Sequence, residues 1–162
     1  MGTIGFSHLG LCCSDLARST AFYCDVLGFR ELFTMEMGDE LRATMEVDDH
    51  PRPMALRSRM LARDDVRLEL LAWSEPDATG TGERRPMTAI GLTHLCIRVE
   101  DAETLDEVAA RAVAAGGRAL EDTRTTLGGM GIDGGDVTVL HLTDPDGVRV
   151  ELMAGAPDLS QL

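Results

Sequence analysis

Apolar and polar positions alternate with period two in several short stretches of this chain and follow a helical period in two longer ones. Over residues 4–12, Leu9 and Leu11 fall on one side and Phe6, His8 and Gly10 on the other, which predicts a half-buried strand from Ile4 to Cys12. A helix follows, with Ser14 or Asp15 as N-cap, Leu16, Phe22, Tyr23, Val26 and Leu27 as its apolar residues, and Gly28 as its stop. The segments Phe29 to Glu36, Leu41 to Val47 and Met54 to Leu61 read as further strands, and Val66 to Trp73 as the last strand of this half. From Ser74 to about residue 91 the chain loses any period and carries Glu75-Pro76, Thr79-Gly80-Thr81-Gly82 and Arg84-Arg85-Pro86, the chemistry of a linker. The plan then recurs. A strand is expected over Thr93 to Val99, then an Asp101-capped, Ala-rich helix through Leu105, Val108 and Val113 that stops at Gly116-Gly117. Strands at Arg118 to Asp122 and Val137 to Leu142 come next, and the turn Asp144-Pro145-Asp146-Gly147 leads into a final strand, Val148 to Met153.

The recurrence extends to the residues themselves. Val66-Arg67-Leu68-Glu69-Leu70-Leu71 returns as Val148-Arg149-Val150-Glu151-Leu152-Met153, identical at four of six positions. His8-Leu9 opens one half and His94-Leu95 the other, each His followed seven residues later by Asp15 or Asp101. The two His differ by 94 − 8 = 86 positions and the two Glu by 151 − 69 = 82, so a small loop insertion reconciles the halves. The organisation expected is one domain over residues 1–162: module one about 4–73, linker about 74–91, module two about 92–153 and a tail over 154–162.

Strand parity assigns faces. In the final strand Val148, Val150 and Leu152 share the aliphatic side, so Arg149 and Glu151 point the other way, as Arg67 and Glu69 do in the first half. Leu95, Ile97 and Val99 leave His94, Cys96 and Arg98 opposite them. His8, Glu69, His94 and Glu151 thus all oppose the helix-covered face, and two imidazoles with two carboxylates form a ligand set suited to a divalent metal. Taken singly, each would be a hydrogen-bonded His or a solvated Glu; recurrence in both halves is what favours the metal.

Composition narrows the partners. The 162 residues carry 28 Asp and Glu against 15 basic residues, a net charge of −13, which disfavours nucleic acid and anionic membrane surfaces. Every basic residue is arginine, so Schiff-base catalysis by lysine is excluded. The lack of Lys and Asn beside abundant Ala, Gly and Arg fits a GC-rich bacterial genome. The N-terminal residues lack the basic flank and apolar run of a secretory signal, and no segment approaches a membrane span; a cytoplasmic protein is expected. Cys12, Cys13, Cys24 and Cys96 have no zinc-site spacing and read as reduced, mostly buried thiols.

His8-Leu9-Gly10-Leu11 leading to Asp15-Leu16, then Ala21-Phe22-Tyr23 and Val26-Leu27-Gly28-Phe29, together with Asp144-Pro145-Asp146-Gly147 and Val150-Glu151-Leu152, resemble the opening and closing motifs of the vicinal oxygen chelate superfamily. That group includes glyoxalase I, methylmalonyl-CoA epimerase, extradiol dioxygenases and the fosfomycin and bleomycin resistance proteins. The resemblance covers nearly all of residues 4–153 and implies an α+β fold of tandem βαβββ modules forming an open cupped sheet around a metal, in a homodimer. It also implies His8, Glu69, His94 and Glu151 as ligands of one divalent ion (Ni, Co, Zn, Mn or Fe), the four-ligand pattern of glyoxalase I. Two coordination positions would remain for a small substrate with adjacent oxygens, and Glu151 or Glu69 would take its carbon-bound proton on the way to an enediolate. The leading expectation is therefore a metal-dependent lyase or isomerase of glyoxalase I type acting on a thiol adduct or related small substrate. The alternatives are an acyl-CoA epimerase, an Fe(II) extradiol-type dioxygenase and a non-enzymatic drug-binding resistance protein.

Three further readings await the structure. His141, ten residues before Glu151, stands about where extradiol dioxygenases have a catalytic Tyr and is a candidate acid or base; otherwise it is an edge-strand His meeting solvent. Glu46 falls near the second acid–base residue of the epimerases, and His50 reads as a turn residue. Arg67, Arg98 and Arg149 either orient an anionic substrate or pair with neighbouring glutamates, and the glycine-rich run 127–135 reads as a flap without the lysine of a phosphate loop.

Overall fold

The computed structural model describes residues 2, 5–131 and 134–158, which divide into two compact units, 1–81 and 82–162. Each unit is a strand, a helix and three strands, and each sheet places its last strand beside its first. In unit one the order is β1 (Leu9–Cys12), β4 (Val66–Glu75), β3 (Ala55–Arg63), β2 (Arg30–Met37); in unit two it is β5 (Leu95–Val99), β8 (Arg149–Ala154), β7 (Val137–Thr143), β6 (Arg118–Leu127). The first and last strands run parallel and the other neighbours antiparallel. Residues Leu9 and Gly10 align with Leu68 and Glu69, as Leu95 and Cys96 align with Val150 and Glu151. The duplication read in the sequence is therefore a duplication of pairing register.

Both helices begin and end on the residues that the pattern marks. Asp15 accepts the Arg18 N–H at 2.9 Å to start α1 (Leu16–Ala21), and Asp101 accepts the Thr104 N–H at 2.8 Å to start α2 (Ala102–Ala114). α1 widens into a π-helical turn, Phe22–Val26, which buries Phe22, Tyr23 and Val26 together. Gly28, at φ +73°, reverses the chain, and the Phe29 N–H closes on the Tyr23 carbonyl at 3.0 Å. In α2 the buried positions Leu105, Val108, Ala109 and Ala112 make one stripe against sheet two. On the helix side of the last strands, Leu68, Leu70, Val150 and Leu152 are fully buried, as their alternation predicts.

Four expectations are corrected. Leu41 to Val47 is no strand: a 3-10 turn, Asp39–Leu41, continues into further turns, and Glu46 takes a positive φ of 57°. The cause is local polar chemistry, because Asp39 Oδ1 accepts both the Met54 N–H at 2.7 Å and an Arg42 N–H at 3.0 Å. Arg42 also donates to the carbonyls of Arg52, Val47, Asp48 and His50, folding this stretch back on itself. The opening strand begins only at Leu9, where a partner on β4 exists, so His8 and His94 each stand one residue before their strands, and Ile4 lies outside the described residues. β6 runs on to Leu127 across a register break between Leu120 and Thr125, shortening the glycine-rich segment, in which Ile132 and Asp133 lie outside the described residues. Of the cysteines only Cys13 is buried; Cys12 and Cys96 are exposed, and all four are free thiols. Among the described residues no helix is long and apolar enough to cross a membrane.

Candidate metal centre

Each unit brings one His and one Glu together. In unit one His8 Nε2 lies 3.1 Å from Glu69 Oε2; in unit two His94 Nε2 lies 3.3 Å from Glu151 Oε2. The same register makes both contacts, since β1 and β5 deliver the His at the end of the strand that holds the Glu. The far side of each imidazole is held by the preceding hydroxyl: Ser7 Oγ is 3.0 Å from His8 Nδ1, and Thr93 Oγ1 is 3.0 Å from His94 Nδ1. A hydroxyl both donates and accepts, so it accommodates either tautomer and keeps Nε2 aimed at the carboxylate. These two hydroxyls were missed in the sequence, although Ser7-His8 and Thr93-His94 repeat in register like the His and Glu residues themselves.

The pairs fit a divalent ion. Nitrogen and oxygen ligands each roughly 2.1 Å from a metal and at right angles lie about 3 Å apart, the separation found in both units. Imidazole and carboxylate also suit the borderline ions Ni, Co, Zn, Mn and Fe. Among the described residues no group of three or more His, Cys, Asp or Glu is gathered that could hold a metal ion, and each unit presents one His–Glu pair.

The second oxygen of each carboxylate distinguishes the halves. Glu69 Oε1 accepts a hydrogen bond from Ser58 Oγ at 2.6 Å, on a serine that is fully buried. Glu151 Oε1 instead faces His141 Nε2 at 3.6 Å, across the β7–β8 pair in which His141 and Glu151 are register partners. His141 is thus on an interior strand rather than at an edge. Its Nε2 is enclosed and has no hydrogen-bond partner, while Thr123 Oγ1 holds its backbone N–H at 3.0 Å. Burial pushes His141 below the usual 6.5, with Glu151 opposing and Arg149, His94 and Arg84 reinforcing the shift. Its ring meets that of His94 edge to face, centroids 6.0 Å apart. On the other flank of Glu151, Cys96 hydrogen-bonds the carboxylate; partial desolvation and then that carboxylate push its thiol up to about 12, leaving it protonated at neutral pH.

The remaining candidates lie elsewhere. Glu46 is exposed on its turn. His50 does more than shape a turn: its Nε2 bonds Glu75 Oε1, while Arg52 reaches Glu75 Oε2 at 2.9 Å. None of the three arginines pairs with a neighbouring glutamate among the described contacts. Arg67 donates to the carbonyls of Asp64 and Val66, Arg98 pairs with Asp158, and Arg149 donates to the carbonyls of Thr93 and Arg85. A cavity of about 640 Å³ in unit one is lined by Leu16, Met37, Met54, Arg57 and Trp73 among others, and by neither His8 nor Glu69.

Two βαβββ units, each ending on a strand that holds a glutamate against the histidine opening the unit, define a protein of the vicinal oxygen chelate fold. The chain belongs to the Glyoxalase/Bleomycin resistance protein/Dioxygenase superfamily, whose family model matches residues 5–152. It is 29% identical over 157 residues to catechol-2,3-dioxygenase of Bacillus subtilis (strain 168), covering 95% of this chain and 42% of that protein, so it spans less than half of that relative's length. Among solved structures it is similar to a glyoxalase family protein from Bacillus cereus, at TM-score 0.73 and 15% identity over 97% of this chain and 99% of that one. It is also similar to a mutant of the fosfomycin resistance protein FosX from Listeria monocytogenes, complexed with Mn(II) and 1S,2S-dihydroxypropylphosphonic acid. That likeness has TM-score 0.57 and 18% identity over 97% and 95% of the two chains. At these identities the structural likeness is one of fold.

Proposed function

We propose that the chain is a metal-dependent enzyme that moves a proton at carbon, a lyase or isomerase of glyoxalase type acting on a small substrate with adjacent oxygens. The observation that supports this most is the repeated His–Glu pair at ligand spacing, each imidazole backed by a hydroxyl. His8 and Glu69 form one half-set and His94 and Glu151 the other, each offering a divalent ion one imidazole nitrogen and one carboxylate. A divalent ion bound there supplies positive charge beside the paired oxygens, which favours the charge that develops as a neighbouring proton leaves.

Glu151 is the base in this reading. Its Oε2 faces His94 and its Oε1 faces the unpartnered His141 Nε2, with the protonated Cys96 thiol on the carboxylate's other flank, whereas Oε1 of Glu69 is held by the Ser58 hydroxyl. His141, neutral at pH 7, stands ready to relay that proton. Metal analysis of the purified protein, with a panel of ketoaldehyde–thiol adducts and acyl thioesters, tests the reading. Glu151→Gln is expected to abolish turnover and solvent deuterium exchange at the substrate carbon, and undiminished turnover would refute the role of Glu151.

A second reading, oxygen-dependent chemistry at Fe(II), is favoured by the identity to the catechol-2,3-dioxygenase. Oxygen consumption on addition of a catechol would select it, and His141 would then act as the base at the ring hydroxyl.

A further inference from the structure

His8 and His94 each precede their strand by one residue, and the strand pairing begins only at Leu9 and Leu95. Each imidazole therefore needs a hold from outside the ladder to keep Nε2 on its carboxylate. In unit two that hold is in place. Arg149, buried on β8, donates one terminal nitrogen to the Thr93 carbonyl at 3.3 Å and the other to the Arg85 carbonyl at 2.8 Å. Thr93 is also the residue whose hydroxyl lies 3.0 Å from His94 Nδ1.

Consecutive residues of β8 thus act on consecutive residues of the segment beside them. Arg149 holds Thr93, Val150 pairs with Leu95, and Glu151 meets His94 at 3.3 Å. His94 is bracketed, with the ladder on one side and the guanidinium on the other. Arginine suits the task because its planar fork offers separate donors to two carbonyls from a single side-chain conformation. Those carbonyls belong to the two ends of a loop that is closed by its own bonds. Arg85 Nη2 donates to the Ile90 carbonyl at 2.8 Å and the Ala89 N–H to the Pro86 carbonyl at 3.0 Å.

Unit one repeats the residues and omits the tether. Arg67 takes the repeat position of Arg149, Ser7 that of Thr93 and His8 that of His94. Arg67 nevertheless turns to the carbonyls of Asp64 and Val66, at 2.9 and 3.0 Å, and the Ser7–His8 contact is exposed. The tether is therefore a property of unit two and no by-product of the duplication.

We propose that Arg149 is a positioning residue for His94: by clamping the Thr93 carbonyl it keeps the Thr93 hydroxyl on Nδ1 and the imidazole aimed at Glu151, so that this alignment depends on the seating of residues 85–93. This deepens the reading above and rests on it for the role of His94 as a ligand. Because the ring is ordered on folding, an ion that binds it has less to immobilise.

The full chain is used, first free of metal and then titrated with Zn(II). In the metal-free protein the His94 ring is followed by nitrogen NMR, its signals assigned by their absence in His94→Gln. One sharp set is expected in the unaltered protein and in Arg67→Gln, the same change at the repeated position. Arg149→Gln keeps a single donor group and loses the fork, and it is expected to broaden or double the His94 signals. Zn(II) affinity, measured by calorimetry, is expected to fall roughly tenfold or more in Arg149→Gln, as for loss of an outer contact, and to hold in Arg67→Gln. Since Arg149 acts through the Thr93 hydroxyl, its replacement should cost much less in a Thr93→Val background, a non-additivity that general destabilisation does not produce. Thermal melts verify folding, and Arg149→Lys carries the comparison if Arg149→Gln does not fold. His94 signals unchanged in a folded Arg149 variant, or losses that add fully to those of Thr93→Val, overturn the proposal. If Zn(II) binds none of these proteins, the metal reading fails, and the metal-free spectra alone decide whether Arg149 positions His94.

Discussion

The hydroxyl behind His94 gives a quantitative handle on the proposed metal centre. Thr93→Val keeps the shape of the side chain but removes the Oγ1 that lies 3.0 Å from His94 Nδ1, while the Thr93 carbonyl that accepts from Arg149 is untouched. Thr93 is half-buried, so water only partly replaces the lost partner. Loss of such an outer contact typically weakens metal binding about 10- to 100-fold, or about 1.4 to 2.7 kcal/mol. Ser7→Ala removes the matching contact to His8, but there the bond is exposed, water substitutes, and a smaller loss is expected. Isothermal titration with Mn(II) or Zn(II), alongside thermal melts to verify folding, measures both. Thr93→Ser should restore binding. An unchanged affinity in a folded Thr93→Val protein would mean that His94 Nε2 does not ligate a metal, and the reasoning from paired half-sets would fail.

Other perturbations report on the framework. Arg42→Ala removes the group that gathers four backbone carbonyls and the Asp39 carboxylate; a loss of about 2 kcal/mol and faster amide exchange confined to residues 38–54 are expected by denaturant titration and hydrogen exchange. Leu152→Ala opens a cavity at a fully buried position and should cost about 3–5 kcal/mol, with unit two unfolding first. Asp101→Asn tests a carboxyl held below its ordinary 3.8, chiefly by the Thr104 backbone N–H. A lowered carboxyl contributes stability above the unfolded-state value and loses it as pH falls through the folded one, so the advantage of the native protein over the variant should be full at pH 7 and shrink below pH 3.8.

The parts of the molecule that were legible in sequence are those set by period and capping. Asp15, Gly28, Asp101 and Gly116 bound the helices because each supplies chemistry that its position requires, and the alternation around Glu69 and Glu151 gives their faces because a strand has only two. What misled was alternation without a partner. Leu41, Ala43, Met45 and Val47 read as a strand, but nothing in that pattern reveals that Arg42 will find several carbonyls of its own loop. The His–Glu pairs followed from repetition, whereas the contrast between a Ser58-bound Glu69 and a Glu151 facing His141 depends on cross-strand register, which a single strand does not encode. For the same reason the roles of the arginines stayed open in sequence: Arg67 and Arg149 occupy one repeat position, and only the surrounding backbone decides that one bonds the carbonyls of its own hairpin and the other is buried against those of Arg85 and Thr93.

The strand order 1-4-3-2 has a consequence for how this protein comes off the ribosome. The last strand of each unit is the one bonded on both sides, to the first strand and to the third, so no sheet can close until its final segment has emerged. Unit one is complete once Glu75 is free, and it has the whole synthesis time of its twin in which to fold. Unit two must hold β5, α2, β6 and β7 without their central strand, with edges open to misjoining, until Arg149–Ala154 arrives. Because β8 also brings Glu151, the nascent unit gains its fold and its candidate chemistry in the same step.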